Sequence, residues 1–266
     1  MTYPFPDRKL AQRIERADGA IQKAIAQTHR ACLPESRAET LEVAGGQMIF
    51  VSPDSPLTQS FGLGFQETGE EALDQLETFF RERGCAVNLE LSHLADISLF
   101  QRLSARGYTI DEHTVVCAAP IDPALAREPL PEGTHRAPEG GEHNSDAVVA
   151  RSFCEGGDPP ESLLELCRIF RKAGVTFFAE RDGQTVAGGT LFVQDGIAFL
   201  LGTATLPDFR KRGCQTDLIQ ARLAKAAASG ASLAVVITLP GTISQRNVFR
   251  RGMTPLYART KMTRTW

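Results

Sequence analysis

The chain has 266 residues, is 42% apolar and 23% charged, and carries a formal net charge of −3. Such a length suits two domains of about 130 residues, and an apolar share of this size fills packed cores. The slight negative charge, with no basic stripe interleaved with aromatics, excludes nucleic acid as the main partner, and no apolar run reaches the roughly 20 residues of a membrane span.

The first thirty residues put Leu10, Ile14, Ala17, Ile21 and Ile25 on one helical face and lack the apolar centre of a signal peptide. Six cysteines, at 32, 85, 117, 154, 167 and 214, form no Cys-x-x-Cys pair and read as reduced thiols of a cytosolic protein. Residues 71–84 predict a helix with a glycine stop, 86–91 a strand, 99–106 a helix, and the stretch from Gly107-Tyr108 to Cys117 a strand. Pro120, Pro123, Pro129 and Pro131 mark a linker over 120–133, separating a lobe at 1–119 from one at 134–266. In the second lobe, Glu155-Gly-Gly-Asp-Pro-Pro160 reads either as a mobile loop that gates acceptor entry or as a plain surface connection. His135 and His143 lie too far apart for metal-ligand spacing and the other histidines are isolated, so no metal site is expected.

Strand patterns at 175–180 and 184–194 meet at Asp182-Gly183, a hairpin signal, and a third runs from Ile197 to Thr205 after Asp195-Gly196. Pro207 ends the ladder. Leu218, Ile219, Leu223, Ala226 and Ala227 then recur on one face of a helix over 216–229 that Gly230 stops. The turn between, with Arg210, Lys211, Arg212 and Gly213, therefore stands at a helix N-terminus. Unpaired N–H groups and the positive end of the helix dipole favour an anion there. Beyond lie a strand at 233–238, a loop at Pro240-Gly241, a short helix ending at Arg251-Gly252, and a strand over 253–262.

This order of hairpins, basic turn, helix, strand, short helix and strand resembles the GNAT superfamily of acyl-coenzyme A dependent N-acyltransferases over about residues 134–266. Arg210-Lys-Arg-Gly-Cys-Gln215 matches the family's Arg/Gln-x-x-Gly-x-Gly/Ala loop except at Gln215, where a small residue is usual. Ser244-Gln-Arg-Asn-Val-Phe-Arg-Arg-Gly-Met253 is similar to its Asn-containing helix followed by Gly-Phe. The order over 71–117 repeats that over 217–262, so the first lobe is a second, degenerate copy: an α/β fold with mixed sheets, in tandem. Its counterpart of the basic turn, Gly64-Phe-Gln-Glu-Thr-Gly69 followed by Glu70 and Glu71, is acidic and would repel a pyrophosphate. That lobe is expected to bind no coenzyme and to pack against, shape or lid the site of the other.

The resemblance implies transfer of an acetyl group from acetyl-CoA to an amine, small-molecule or peptide, by direct attack in a ternary complex. The implied coenzyme contacts are Thr205, Leu206, Arg210, Lys211, Arg212, Gly213, Cys214, Gln215, Thr216 and Asn247. The amides near Thr205 and Leu206 would polarise the thioester. Asn247 reads equally as a local cap. Cys214, beside three cations at a helix end, is either a thiol of lowered pKa or a small filler. Relatives often carry a catalytic Glu on the strand entering the loop, and this strand has none. Glu180 is the substitute base, or a solvated hairpin carboxylate. Val248 stands where relatives often place the acid, with Ser244 and Tyr257 as replacements. The alternative is a coenzyme-binding regulatory module without turnover.

Overall fold

The computed structural model describes residues 4–266. In chain order these form α1 (Arg8–Cys32), β1 (Glu39–Val43), β2 (Gly46–Phe50), β3 (Gln59–Phe61), α2 (Glu70–Arg81), β4 (Val87–Ser92), α3 (Ile97–Ala105), β5 (Thr109–Pro120) and β6 (Thr134–Arg136). There follow α4 (Asn144–Phe153), α5 (Glu161–Ala173), β7 (Val175–Arg181), β8 (Gln184–Gln194), β9 (Ile197–Thr205), α6 (Cys214–Ala228), β10 (Leu233–Thr238), α7 (Ile243–Arg250) and β11 (Thr254–Arg264). Short turns of three-residue helical periodicity lie at Pro123–Arg127 and Pro207–Phe209. The fold is mixed α/β, and the order α2-β4-α3-β5 recurs as α6-β10-α7-β11.

The chain divides into two compact units. The first comprises Pro4–Cys117, Ile237–Arg246 and Met253–Trp266; the second comprises Ala118–Val236 and Asn247–Gly252. The division differs from the lobes expected at 1–119 and 134–266, and side-chain chemistry explains how. In the first unit the sheet runs β1-β2-β3-β4-β11-β5, so the last strand of the chain lies beside β4 with Arg259 opposite Ser92. Met262 joins Leu73, Leu76, Phe80, Leu89 and Leu103 in that unit's core. Arg259, 1% exposed, donates to Glu15 and Asp18 of α1 at 2.8 Å each, and Tyr257 donates to Glu15 at 2.8 Å. Along α1 the predicted apolar face is buried at Ile14, Ala17, Ile21 and Ile25, and the two carboxylates between them are buried because Arg259 meets them. The partners of this buried arginine are on α1. Residues 118–133, expected as a linker, belong to the second unit: the Ile121 N–H donates to the Ser232 carbonyl at 2.9 Å, and the Pro123–Arg127 turn packs on α6.

In the second unit the sheet order is β10-β9-β8-β7-β6, with β9 and β10 parallel and the other pairs antiparallel. Phe177, Ala179, Val186, Ala187, Leu218 and Ala221 form a core between this sheet and α6. One charge lies deep within it. Arg222 is 1% exposed and donates to the Leu218 carbonyl at 2.9 Å and to Thr203 Oγ1 at 2.7 Å, with no carboxylate partner among the described residues. Burial pushes its pKa down to about 9. Holding this charge away from water and without a counter-ion costs stability. Arg222→Met is therefore expected to raise stability at pH 7 by about 1 kcal/mol. Thermal midpoints of the two proteins at pH 7 check this.

Candidate functional site

Strands β7 and β8 meet at a two-residue turn, Asp182-Gly183, with Arg181 opposite Gln184. Next along the sheet, the ladder between β8 and β9 passes from Thr190 opposite Leu201 to Gly188 opposite Ala204, so Gly202 and Thr203 face Gly189 alone. This bulge requires φ +57° at Gly202, a conformation suited to glycine, and it re-aims the end of β9. On the other edge, β9 pairs with β10 only from Ile197 to Phe199. Residues 200–205 thus run on beyond the end of that ladder, one edge open.

The Leu206 N–H donates to the Val186 carbonyl at 2.9 Å. In antiparallel geometry that bond makes Thr205 and Ala187 a non-hydrogen-bonded pair, so the Thr205 N–H points to the open edge. Of the two amides expected to polarise a thioester, Leu206 is engaged in the ladder, and Thr205 has the direction the chemistry needs.

After Pro207–Phe209 the chain turns through Lys211 at φ +65° and Gly213 at φ +82° into α6. Gly213 occupies the N-cap, and no side chain caps the helix, so its first N–H groups are open to an anion. The three cations are distributed rather than clustered. Arg210 donates to Glu155 at 2.6 Å, to the Thr205 carbonyl at 3.3 Å and to the Ser152 carbonyl at 3.5 Å. The bond from Arg210 holds the Glu155 carboxyl below the usual carboxylate range. Arg212 pairs with Asp182 at 3.0 Å and lies over the Phe209 ring. Lys211 is exposed and has no partner among the described residues. Asp217, in the first helical turn, is neutralised by Arg181.

Of the two readings open for Cys214, the structure has the features of the filler. The residue is 2% exposed, and burial pushes its thiol up, outweighing the nearby Arg181 and Arg212. It is a filler beneath the turn, 4.0 Å from the Phe209 carbonyl. Thr216 is half-buried in the first turn of α6. Gln215 and Asn247, the two positions where the motif is least regular or most telling, are joined: Asn247 Nδ2 donates to Gln215 Oε1 at 2.6 Å.

The three candidates for proton transfer fall into different settings. Glu180 is 42% exposed with its carboxylate 3.5 Å from His135 Nε2 at the β6 edge. Ser244 is exposed on α7, and Val248 of the same helix is buried. Tyr257 lies in the core of the first unit with its hydroxyl held by Glu15, and burial raises its pKa well above the phenolic value. Sequence reasoning missed the Glu155 contact, the Gly202 bulge and Arg222. A glycine within an apolar strand was the one available signal for the bulge. No group of three or more His, Cys, Asp or Glu side chains among the described residues could hold a metal ion. No described helix is long and apolar enough to cross a membrane.

Residues 146–253 match the model of the acetyltransferase (GNAT) family. This segment is a GNAT domain. It comprises the bulged strand, the basic turn and α6, and the family supports acyl transfer from an acyl-coenzyme A. Solved structures extend the likeness in fold to nearly the whole chain. A GCN5-related N-acetyltransferase from Kribbella flavida aligns at a TM-score of 0.66 with 17% identity, covering 96% of each chain. A tandem GNAT protein from the clavulanic acid biosynthesis pathway aligns at 0.61 with 11% identity, over 99% of this chain and 97% of its own. A GCN5-related N-acetyltransferase from Sphaerobacter thermophilus aligns at 0.55 with 16% identity, over 98% and 94%. No curated protein matches. The GNAT domain thus sits in a chain whose full-length fold is shared with a tandem GNAT protein.

Proposed function

We propose that the GNAT domain moves an acetyl group from acetyl-CoA to an amine by direct attack within a ternary complex. The observation that carries this is the pairing of an uncapped α6 N-terminus behind Gly213 with the outward Thr205 N–H on the open edge of bulged β9. The first would hold the diphosphate and the second the thioester oxygen. As the amine nitrogen adds to the carbonyl carbon, negative charge builds on that oxygen, and the Thr205 N–H would stabilise it. Collapse breaks the C–S bond, and the thiolate leaves with a proton that originated on the amine. An alkylamine has a pKa of roughly 10, so a proton must be removed before attack. Glu180, beside His135, would serve through water. Tyr257, its hydroxyl engaged by Glu15, is not free to protonate the thiolate. Proximity supplies much of the remaining acceleration. Small-molecule and peptide amines both suit this chemistry. The six free cysteines suit a reducing compartment such as the cytoplasm.

The first unit would bind no coenzyme. Helix α2 also starts behind an uncapped glycine, Gly69, but the turn at 64–69 that leads into it presents carbonyls to arginines. Arg8 donates to the Gly64 and Phe65 carbonyls at 3.2 and 3.3 Å, and Arg102 donates to the Thr68 carbonyl at 2.6 Å. Glu71 adds negative charge in the first turn of α2, where Glu70 is paired with Arg106. Calorimetry is expected to give one coenzyme per chain. The enzymatic reading is tested by thiol release from acetyl-CoA across a panel of amines; binding without turnover on any of them overturns it.

Glu155 competes with a diphosphate for Arg210. The pair is exposed and therefore weak, so Glu155→Gln is expected to tighten coenzyme binding by only about 2- to 5-fold, the gain shrinking in high salt. Titration at two salt concentrations measures it.

A further inference from the structure

Gln215 lies one residue inside α6, and Asn247 reaches it from α7, 32 residues further along the chain. Their 2.6 Å bond engages one end of each carboxamide: Oε1 of Gln215 accepts and Nδ2 of Asn247 donates. A carboxamide has both a donor and an acceptor end. The remaining ends, the second donor position aside, are Nε2 of Gln215 and Oδ1 of Asn247, and neither has a partner among the described residues. Both residues are half-buried, and the bond between them holds these ends in place. Nε2 belongs to the same first turn as the open N–H groups of α6, where it adds donors to an anion seat. Oδ1 offers a fixed acceptor at a different point, on α7.

From this geometry we infer that Gln215 is a positioning residue: it pins the donor end of Asn247 so that Oδ1 remains to accept an N–H from the ligand, and it presents its own Nε2 to the diphosphate. The inference rests on the coenzyme A reading. Coenzyme A carries a diphosphate followed by an arm with two secondary amides, so one ligand has a group for each end of the latch. A small residue at 215 would leave Asn247 free to rotate.

Isothermal titration with coenzyme A and with ADP, which has the diphosphate but no amide arm, tests it. Asn247→Ala is expected to weaken coenzyme A by about tenfold and leave ADP unchanged, the loss of about one ligand hydrogen bond. Gln215→Ala should lower the ratio of coenzyme A to ADP affinity to that of Asn247→Ala, and weaken ADP modestly besides. Gln215→Glu keeps an acceptor for Asn247 but sets a negative charge in place of the donors, so ADP and coenzyme A should weaken together with their ratio preserved. In the double variant Gln215→Ala with Asn247→Ala, coenzyme A should bind no more weakly than to Gln215→Ala alone. A full product of the two single fold-changes, or an unchanged ratio in Gln215→Ala, overturns the positioning role while the coenzyme reading stands. Wild-type protein that binds neither ligand overturns both, and is told apart by its own titration.

Discussion

Replacing Gly213 by aspartate is expected to reduce coenzyme affinity by about 100-fold or more while leaving the protein folded, because two carboxylate-sized charges about 4 Å apart near a surface repel by several kcal/mol. Gly213 is the N-cap of α6 at φ +82°, and no side chain caps that helix. A Cβ there meets nothing closer than Asp217 Oδ2 at 3.9 Å, so the objection to a side chain is backbone strain rather than space. Aspartate tolerates the left-handed region better than most residues. The substitution would fill the anion seat with an anion of the protein's own. A thermal midpoint within a few degrees of wild type, measured beside the coenzyme titration, separates this loss from unfolding. Undiminished binding would show that the diphosphate sits elsewhere.

The largest effect on stability is expected in the first unit. Arg259→Leu would leave Glu15 and Asp18, both 0% exposed, without their cation, and breaking a buried pair in this way costs about 3–5 kcal/mol. Burial already raises the Glu15 pKa against the pull of Arg259. A raised folded pKa gives stability that is full at low pH and lost as pH rises through that value, so the deficit of the variant should grow with pH. Urea unfolding at pH 5 and pH 8 checks the sign. Replacing Arg259, Glu15 and Asp18 together by Leu, Gln and Asn should recover much of the loss, since no charge is then left unpaired. A deficit independent of pH would mean that packing, not charge, is what Arg259 supplies.

How much of this was legible beforehand differs from residue to residue. The hairpin at Asp182-Gly183, the helix closing at Gly230 and the repeat of α2-β4-α3-β5 are local patterns, and local patterns are written in adjacent residues. The basic turn was equally legible, because Gly213 and the amphipathic run behind it announce a helix N-terminus. What could not be read was how its charges are distributed. Arg210 looks like a free cation in the sequence, and only the return of the α4–α5 loop brings Glu155 to it. For Cys214 two readings stayed open for the same reason: its neighbours in sequence are cations, but its neighbours in space are apolar, and desolvation outweighs the cations.

The boundary between the units lay outside local pattern altogether. Strand β11 follows α7 as the repeat requires, yet its place beside β4 is set by Arg259 meeting carboxylates more than 240 positions away in sequence. Sequence by itself determined the elements, their order and the kind of ligand the turn at 210–215 would hold, since propensity, periodicity and helix-end electrostatics act over a few residues. Only the tertiary structure decided which strand completes which sheet, which amide on β9 faces an open edge and which of the flagged side chains meet. Those outcomes depend on burial and on partners distant in the chain, and burial is a property of the packed whole.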